Sequence, residues 1–373
     1  MRMMHKKSHF NPDKILPIFH PKNDYRSGFT IVELLVSTAV IGVLAALALP
    51  AIQTARNSAR QVQCLNNMRN ISLGILQATD TAGRFPACGY YGDGTPASVG
   101  AYRSWVVEIL PFIDQSMIYD KWDVEKSYND PVNKPLANTH IPVLTCPSDK
   151  TEVVGNGNLT YVVSSGVGFT TMRNGVHDCP VDTTQRKLDL NGNGITCNSS
   201  TSGDGTPSDR EIFTQMGLFF NETWKGEIRS KRHHSMATIT DGASNTMLVS
   251  ENLRTGYNPK NPTDNWASPN PYLTSFFIGN PCLNGNCSSG NVDYNRSNSG
   301  ASAINSGISQ PEGSSPYPSS LHDGGVNVGL CDGRVQFISQ NIDGKVYASL
   351  ASPQGQSLEG SPLAQQIISG GEY

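Results

Sequence analysis

Charged side chains are scarce in this sequence. They make up 16% of the 373 residues, whereas an average soluble domain has about 25%. The formal net charge of −3 lacks the basic excess of a nucleic-acid-binding domain, so no nucleic-acid partner is predicted. A Gly-rich phosphate loop after a strand, a G-x-S-x-G motif and an H-E-x-x-H motif are also missing. Without such a motif, we expect a protein that is not an enzyme.

An unbroken apolar run lies near the N-terminus. Residues 29–49 contain a single ionisable side chain, that of Glu33. A helix of this length spans roughly 30 Å, which is the thickness of a bilayer core. Residues 1–28 carry six basic and two acidic side chains, and this excess favours a cytoplasmic leader. We therefore predict a membrane-spanning helix over 29–49, followed by an exported chain.

Glu33 is the informative residue of this run. A carboxylate within a membrane span costs at least a few kcal/mol unless it finds a partner. Cleavage after Gly28 creates a free amine at Phe29, four residues before Glu33. The amine of one subunit can then pair with the Glu33 carboxylate of its neighbour, which neutralises both charges and sets the register of an assembly. Without cleavage, the sequence shows no evident partner for Glu33.

The stretch from Gly28 to Leu35, Gly-Phe-Thr-Ile-Val-Glu-Leu-Leu, resembles the prepilin signature of type IV pilins and type II secretion pseudopilins. The resemblance implies that prepilin peptidase cuts between Gly28 and Phe29, that Phe29 is N-methylated, and that Glu33 sets the assembly register. Pro50 occupies the position where pilins commonly carry a helix-bending proline. The implied organisation is a cleaved leader (1–28), a pilin-like helix (29–79) and an exported head of unknown function (80–373).

The head has the pattern of an α+β domain, with short apolar runs between turn residues. We predict a helix over 104–122 that is interrupted at Pro111. The predicted strands cover residues 141–145, 159–164, 217–220 and 246–250. At 326–339, two alternating runs flank Asp332-Gly333, which predicts a C-terminal β-hairpin with a two-residue turn and positive φ at both central positions. The fold class is thus a long N-terminal helix packed on a head with an antiparallel sheet.

Nine residues separate His322 from Asp332, which is followed directly by Gly333. This spacing resembles the prepilin-type processing-associated H-x9-DG family, whose head domain has no established function. Five further stretches are similar to that family. They begin at Cys64, Phe85, Ser104, Cys146 and Asp241. We interpret His322, Asp332 and Gly333 as structural residues of the hairpin, since no nucleophile motif accompanies a His–Asp pair.

All eight cysteines follow residue 28, which suits an oxidising compartment where disulfides persist. Eight cysteines allow 105 complete pairings, and the sequence does not choose among them. Local disulfides are expected for Cys179 with Cys197 and for Cys282 with Cys287. We interpret the pair His233-His234 as part of a solvated face rather than as a binding site for a metal or a phosphate group.

A candidate metal site lies in the stretch around 177–210. Asp189, Asn191 and Asn193 place oxygen ligands at alternate positions, as in the first half of a calcium loop. The twelfth position is Ser200 instead of Glu, and Asp182 or Asp204 would have to substitute. The alternative is a surface turn without metal. No other cofactor is expected.

Together these features predict a pilin-like or pseudopilin-like structural subunit. Its expected partners are prepilin peptidase, other pilin-like subunits and the inner membrane. The expected location is the inner membrane as a single-pass protein, with the head in the periplasm or on the cell surface. The alternative is a solitary membrane-anchored protein that binds a glycan or calcium and does not polymerise.

Overall fold

The computed structural model describes a large part of the chain. The described residues are 28–92, 102–149, 155–172, 176–182, 186–197, 207–223, 233–255, 265–282, 292–311, 313–358 and 363–365. The chain divides into two compact units, the first ending at Ala55 and the second beginning at Arg56.

The described residues form both helices and strands. The helices are α1 Ile31–Ala82, α2 Trp105–Ile109, α3 Ser116–Tyr119, α4 Lys134–Ala137, α5 Asp209–Met216, α6 Pro271–Thr274 and α7 Gly344–Ala351. The strands are β1 Gly89–Tyr91, β2 Arg103–Ser104, β3 Leu159–Ser164, β4 Phe169–Met172, β5 Val176–Val181, β6 Glu222–Thr223, β7 Met247–Thr255, β8 Ser275–Phe276, β9 Gly325–Leu330 and β10 Val335–Ser339. The predicted α+β class is confirmed.

In the first unit, the N-terminal part of α1 is apolar and exposed. Large side chains such as Ile31, Ile41 and Leu47 are 65–79% exposed. The helix continues without interruption through Pro50. Among the described residues, α1 is the helix that is long and apolar enough to cross a bilayer.

In the second unit, the later part of α1 carries the buried face. The buried residues recur three or four positions apart, the period of one helix face. They are Cys64, Met68, Ile71, Ser72, Gly74, Ile75, Ala78 and Thr79. A sequence pattern based on apolar residues alone places Val62 on this face, but Val62 is 56% exposed. The buried face also includes the small residues Ser72 and Gly74, where the helix approaches its neighbours closely.

Five strands form the main sheet, in the order β10-β9-β7-β3-β8. Its neighbours are antiparallel, except for the parallel pair β3 and β8. One face contributes Tyr161, Val163 and Val249 to a core shared with α1 and α2. The other face packs against α5 and α7. Two smaller sheets, β2-β1-β6 and β4-β5, complete the described strands.

Several local predictions are confirmed. Strands at 159–164 and 246–250 are present as β3 and the first half of β7. The helix that begins near residue 104 ends at Ile109, and Pro111 lies in a 3-10 turn, Leu110–Phe112. The hairpin of β9 and β10 is also present.

Three details of the prediction are wrong. Residues 142–144 form a 3-10 turn that begins with a proline, since proline cannot donate to a β-ladder. Residues 217–220 are not in a strand. In the hairpin only Gly333 has a positive φ, at 82°, and Leu330 pairs with Arg334 across three loop residues. This is a three-residue loop with a bulge at Gly333, not a two-residue turn.

Candidate functional sites

The predicted processing site lies at the start of α1. Gly28 and Phe29 precede the helix, and the Phe29 side chain is 70% exposed. Glu33 has a partner that the sequence analysis missed. Thr30 N and Thr30 Oγ1 donate to Glu33 Oε2 at 2.9 and 2.8 Å, and Glu33 N donates to Thr30 Oγ1 at 3.2 Å. The T-x-x-E pattern of a capping box was the available signal.

Pro50, the third residue predicted to act in assembly, lies inside α1. Its carbonyl oxygen accepts a hydrogen bond from Thr54 Oγ1 at 3.0 Å. A proline inside a helix leaves the carbonyl four residues earlier without its usual partner. The position is therefore a local weak point of an otherwise continuous helix.

A buried carboxylate lies at the centre of the main sheet. Glu251 of β7 is 0% exposed and is paired in register with Tyr161 of β3. Its Oε2 accepts a hydrogen bond from Asn327 N at 2.9 Å, and its Oε1 accepts one from Asn327 Nδ2 at 3.1 Å. His322 Nε2 lies 3.1 Å from the same Oε1. Since a buried charge is costly unless it is paired, these contacts explain how a central strand tolerates an acid.

A disulfide lies beside this carboxylate. Cys64 of α1 and Cys146 are bonded to each other, and both are buried. His322 Nε2 lies 3.7 Å from Cys146 Sγ. Tyr161 Oη donates to Cys64 O at 3.2 Å, and burial raises the pKa of Tyr161 well above its usual value, so it stays a neutral donor. The bond joins two of the sequence stretches that resemble the H-x9-DG family.

The two ends of the H-x9-DG spacing have different partners. His322 contacts Glu251, whereas Asp332 Oδ1 accepts from Arg334 N at 2.9 Å and Asp332 Oδ2 pairs with Arg334 Nε at 2.6 Å. Gly333 supplies the positive φ of the hairpin loop. The spacing thus covers β9, with the buried cluster before the strand and the loop after it.

One group of side chains in the described part of the chain has the composition of a metal site. The sulfur atoms of Cys64 and Cys146, a carboxylate oxygen of Glu251 and a ring nitrogen of His322 all lie within 4.8 Å of one another. We call these four residues the Cys-Glu-His cluster. In the disulfide form the two sulfurs are bonded to each other and are not thiolate ligands. Glu251 was not found from the sequence, although an acid within the apolar run of β7 was the available signal.

The predicted calcium residues lie in a loop anchored to the start of α5. Asp189 and Asn191 are buried, and Asn193 is exposed. Both carboxylate oxygens of Asp189 accept backbone N–H groups, Oδ1 from Gly192 at 2.8 Å and Oδ2 from Gly194 at 2.9 Å. These bonds stabilise the turn whether or not a cation is present.

The rest of the predicted calcium set is not assembled in the described residues. Asp182 forms an ion pair with Arg186 at 2.8 Å. Ser200 and Asp204 lie outside the described residues. Calcium binding therefore stays a prediction.

The other cysteines differ in state. Cys197 and Cys282 are disulfide-bonded, while the side chains of their predicted partners, Cys179 and Cys287, lie outside the described residues. The Cys88 and Cys331 thiols are free and buried, and burial raises the pKa of each. Thiols that burial keeps protonated in this way are poor nucleophiles.

His233 is exposed, as predicted for the His233-His234 pair, but His234 is buried, which corrects the prediction for that residue. Its Nε2 lies 2.7 Å from Thr214 O, and its Nδ1 lies 2.8 Å from Thr238 Oγ1. Burial lowers the pKa of His234, so the ring is held neutral between two protein partners. With both nitrogens in use, His234 has a structural role.

Two family models match the sequence of this chain. No curated protein and no solved structure matches the chain. A family model described as a prokaryotic N-terminal methylation motif matches residues 23–49. A second model, described as a protein of unknown function (DUF1559), matches residues 53–345 and thus most of the chain, including every member of the Cys-Glu-His cluster. The chain therefore belongs to the DUF1559 family and carries a prepilin-like N-terminal methylation motif, as the sequence resemblance predicted.

Proposed function

We propose that this protein is a pilin-like structural subunit that assembles through its N-terminal helix. Prepilin peptidase cuts after Gly28, and α1 then holds the subunit in the inner membrane with its head on the exported side. Subunits leave the membrane by packing their apolar helices together in a type IV pilus or a type II secretion pseudopilus. The observation that carries this proposal is a methylation motif that runs directly into an exposed apolar helix.

The surface of α1 supports this role. Its large apolar side chains between Ile31 and Ile52 are about half exposed or more. Soluble proteins rarely expose apolar patches of such extent, so this surface requires either lipid or other helices around it. Lipid covers this apolar surface while the subunit is in the membrane, and the helices of neighbouring subunits cover it in the filament.

The geometry at Glu33 gives the proposal a specific chemical step. In the single chain, Glu33 Oε2 accepts two hydrogen bonds from Thr30. These neutral donors satisfy the carboxylate oxygen but do not neutralise its charge. The amine of Phe29 on a neighbouring subunit supplies the missing positive charge, and charge-assisted hydrogen bonds are about twice as strong as neutral ones.

Two substitutions separate pairing from capping. Glu33→Val removes both the charge and the capping oxygen, whereas Glu33→Gln keeps an oxygen that can cap, because Glu and Gln both serve at this position. We expect both variants to insert into the membrane. We expect both to lose extraction into filaments. Thr30→Ser keeps the cap and the charge, so this control variant should assemble normally.

The assay is recovery of the subunit in sheared filaments from cells, together with mass spectrometry of the N-terminal peptide. A peptide that begins with N-methylated Phe29 is expected for the processed protein. If Glu33→Gln assembles like the wild type while Glu33→Val does not, the role of Glu33 is capping and the pairing step is refuted. If the wild type retains residues 1–28 and neither variant changes assembly, a solitary membrane anchor is the better description.

A further inference from the structure

We propose that the Cys-Glu-His cluster is a redox-controlled zinc site. In the oxidised head, Cys64 and Cys146 form a disulfide. In the reduced head, the two thiolates, Glu251 and His322 hold one Zn²⁺ ion with tetrahedral geometry. The inference concerns the head alone and does not depend on filament assembly.

The positions of the donor atoms support this site. A tetrahedral zinc ion with ordinary bond lengths places a nitrogen and an oxygen ligand about 3.4 Å apart, and a nitrogen and a sulfur ligand about 3.6 Å apart. His322 Nε2 lies 3.1 Å from Glu251 Oε1 and 3.7 Å from Cys146 Sγ. The two distances from His322 Nε2 are thus close to those that zinc requires, and all four donor atoms lie within 4.8 Å of one another. Once their bond is broken, the two sulfurs have to separate to about 3.8 Å.

The choice of metal follows from the donor set. Two soft thiolates and one borderline imidazole outnumber the single hard carboxylate, and this set suits Zn²⁺ and disfavours Ca²⁺ or Mg²⁺. Cys64 and Glu251 are 0% exposed, Cys146 is 3% exposed and His322 is 9% exposed. A site with four protein ligands and almost no access for water is a closed site. We therefore assign it a structural role, not a catalytic one.

Groups behind the ligands support the same assignment. Asn327 N and Nδ2 donate to the two oxygens of Glu251 and fix the carboxylate. The backbone N–H of His322 donates to Ser320 Oγ at 3.1 Å. Ligands in metal sites are commonly oriented by such outer hydrogen bonds. These bonds hold two ligands in place independently of the disulfide.

The chemistry balances in two steps. A dithiol reductant gives two electrons and two protons to the Cys64–Cys146 bond, which yields two thiols and the cyclic disulfide of the reductant. Zn²⁺ then binds both sulfurs and displaces the two thiol protons, and it also displaces the hydrogen-bonding proton from His322 Nε2, which moves to Nδ1 through solvent. Release of zinc and loss of two electrons to a disulfide oxidant reverse the sequence.

The test uses the full-length protein in detergent. One portion is kept oxidised, and another is reduced with a phosphine without oxygen and freed of metal with a chelator. Each is equilibrated with Zn²⁺ alone, and bound zinc is counted per chain. Parallel samples receive Co²⁺, because a thiolate-to-cobalt charge-transfer band reports sulfur ligation directly. Emission of the buried Trp105 and Trp266 monitors the fold.

We expect one zinc per reduced chain and none per oxidised chain. Replacing both sulfur ligands, Cys64→Ser with Cys146→Ser, should abolish the cobalt charge-transfer band. Loss of a group that only orients a ligand costs about 10–100-fold in metal affinity, so Glu251→Gln, which alters a ligand itself, should weaken zinc affinity by at least that factor. The double variant Cys88→Ser with Cys331→Ser, which removes the two free buried thiols, should bind like the wild type.

Three results would overturn the proposal. The first is equal zinc content in the reduced and oxidised proteins. The second is a cobalt band that persists when Cys64 and Cys146 are both replaced by serine, or one that disappears in the Cys88→Ser with Cys331→Ser control. The third is a reduced head that exposes its tryptophans even with excess Zn²⁺, because the site needs the folded sheet to hold Glu251 and His322 together.

Discussion

Replacement of Glu251 by alanine removes the acceptor for three buried donors, namely Asn327 N, Asn327 Nδ2 and the His322 ring nitrogen. Each unsatisfied buried donor costs about 1–3 kcal/mol. The three donors share one carboxylate, so their costs do not add fully, and the total is about 3–5 kcal/mol. We therefore expect Glu251→Ala to lower the free energy of unfolding of the oxidised head by about 3–5 kcal/mol.

Glu251→Gln provides an intermediate case with nearly the same volume. Its amide oxygen can still accept hydrogen bonds, but its NH₂ group has to face one of the donors that the carboxylate satisfied. We expect a loss of about 1–3 kcal/mol, the cost of one unsatisfied group. The exposed Glu125 offers a matched control, and Glu125→Ala should stay within about 0.5 kcal/mol of the wild type.

The assay is urea unfolding of the oxidised protein, followed by tryptophan fluorescence. Trp105 and Trp266 are 0% exposed, so their emission reports the packing of the core that contains the cluster. If both Glu251 variants unfold within 1 kcal/mol of the wild type, as the surface control should, the carboxylate is not the organising group described here. A Glu251→Gln variant that is less stable than Glu251→Ala would contradict the organising role of the carboxylate in the same way.

Three further predictions concern the head. Gly329→Ala should destabilise it by about 1–3 kcal/mol in thermal unfolding, because a new Cβ overlaps Ser72 Oγ; a neutral result would contradict the close approach of α1. Cys64→Ala with Cys146→Ala should cost about 4.5 kcal/mol by loop entropy across a sequence separation of 82. Urea unfolding without zinc measures this cost, and an unchanged midpoint would contradict it. Burial lowers the pKa of His234, so the unfolded chain binds its proton first as the pH falls. Stability should thus be full above pH ~6.5 and decline below it by at most about 1.4 kcal/mol per pH unit. His234→Gln should flatten this decline in a series of melting temperatures against pH.

The features predicted correctly from the sequence depend on local patterns. These features are the apolar run of α1, the apolar strand β3, the alternating strand β9 and the turn region around Asp332-Gly333. The N-terminal signature is equally local, and its T-x-x-E cap was readable there. The exact loop type of the hairpin was not, since a type I turn with a bulge and a two-residue turn both accept Asp-Gly.

The cluster around Glu251 depends on contacts that are distant in sequence. His322 and Asn327 lie 71 and 76 residues away from it along the chain. Cys64 and Cys146 meet only because α1 packs on the sheet. In a single sequence the cysteines, the glutamate, the histidine and the asparagine are far apart, and no local pattern indicates that they meet in the fold.

The disulfide also has a mechanical consequence. Tension applied to the N-terminal part of α1 reaches Cys64 and can pass through the sulfur–sulfur bond directly to Cys146. From there, 13 residues lead to Leu159 at the start of β3, a central strand of the main sheet. The covalent load path therefore bypasses the intervening residues 65–145, which are not required to carry force. While the disulfide is intact, tension cannot detach α1 from the head beyond residue 64. In a reduced head this restraint is absent.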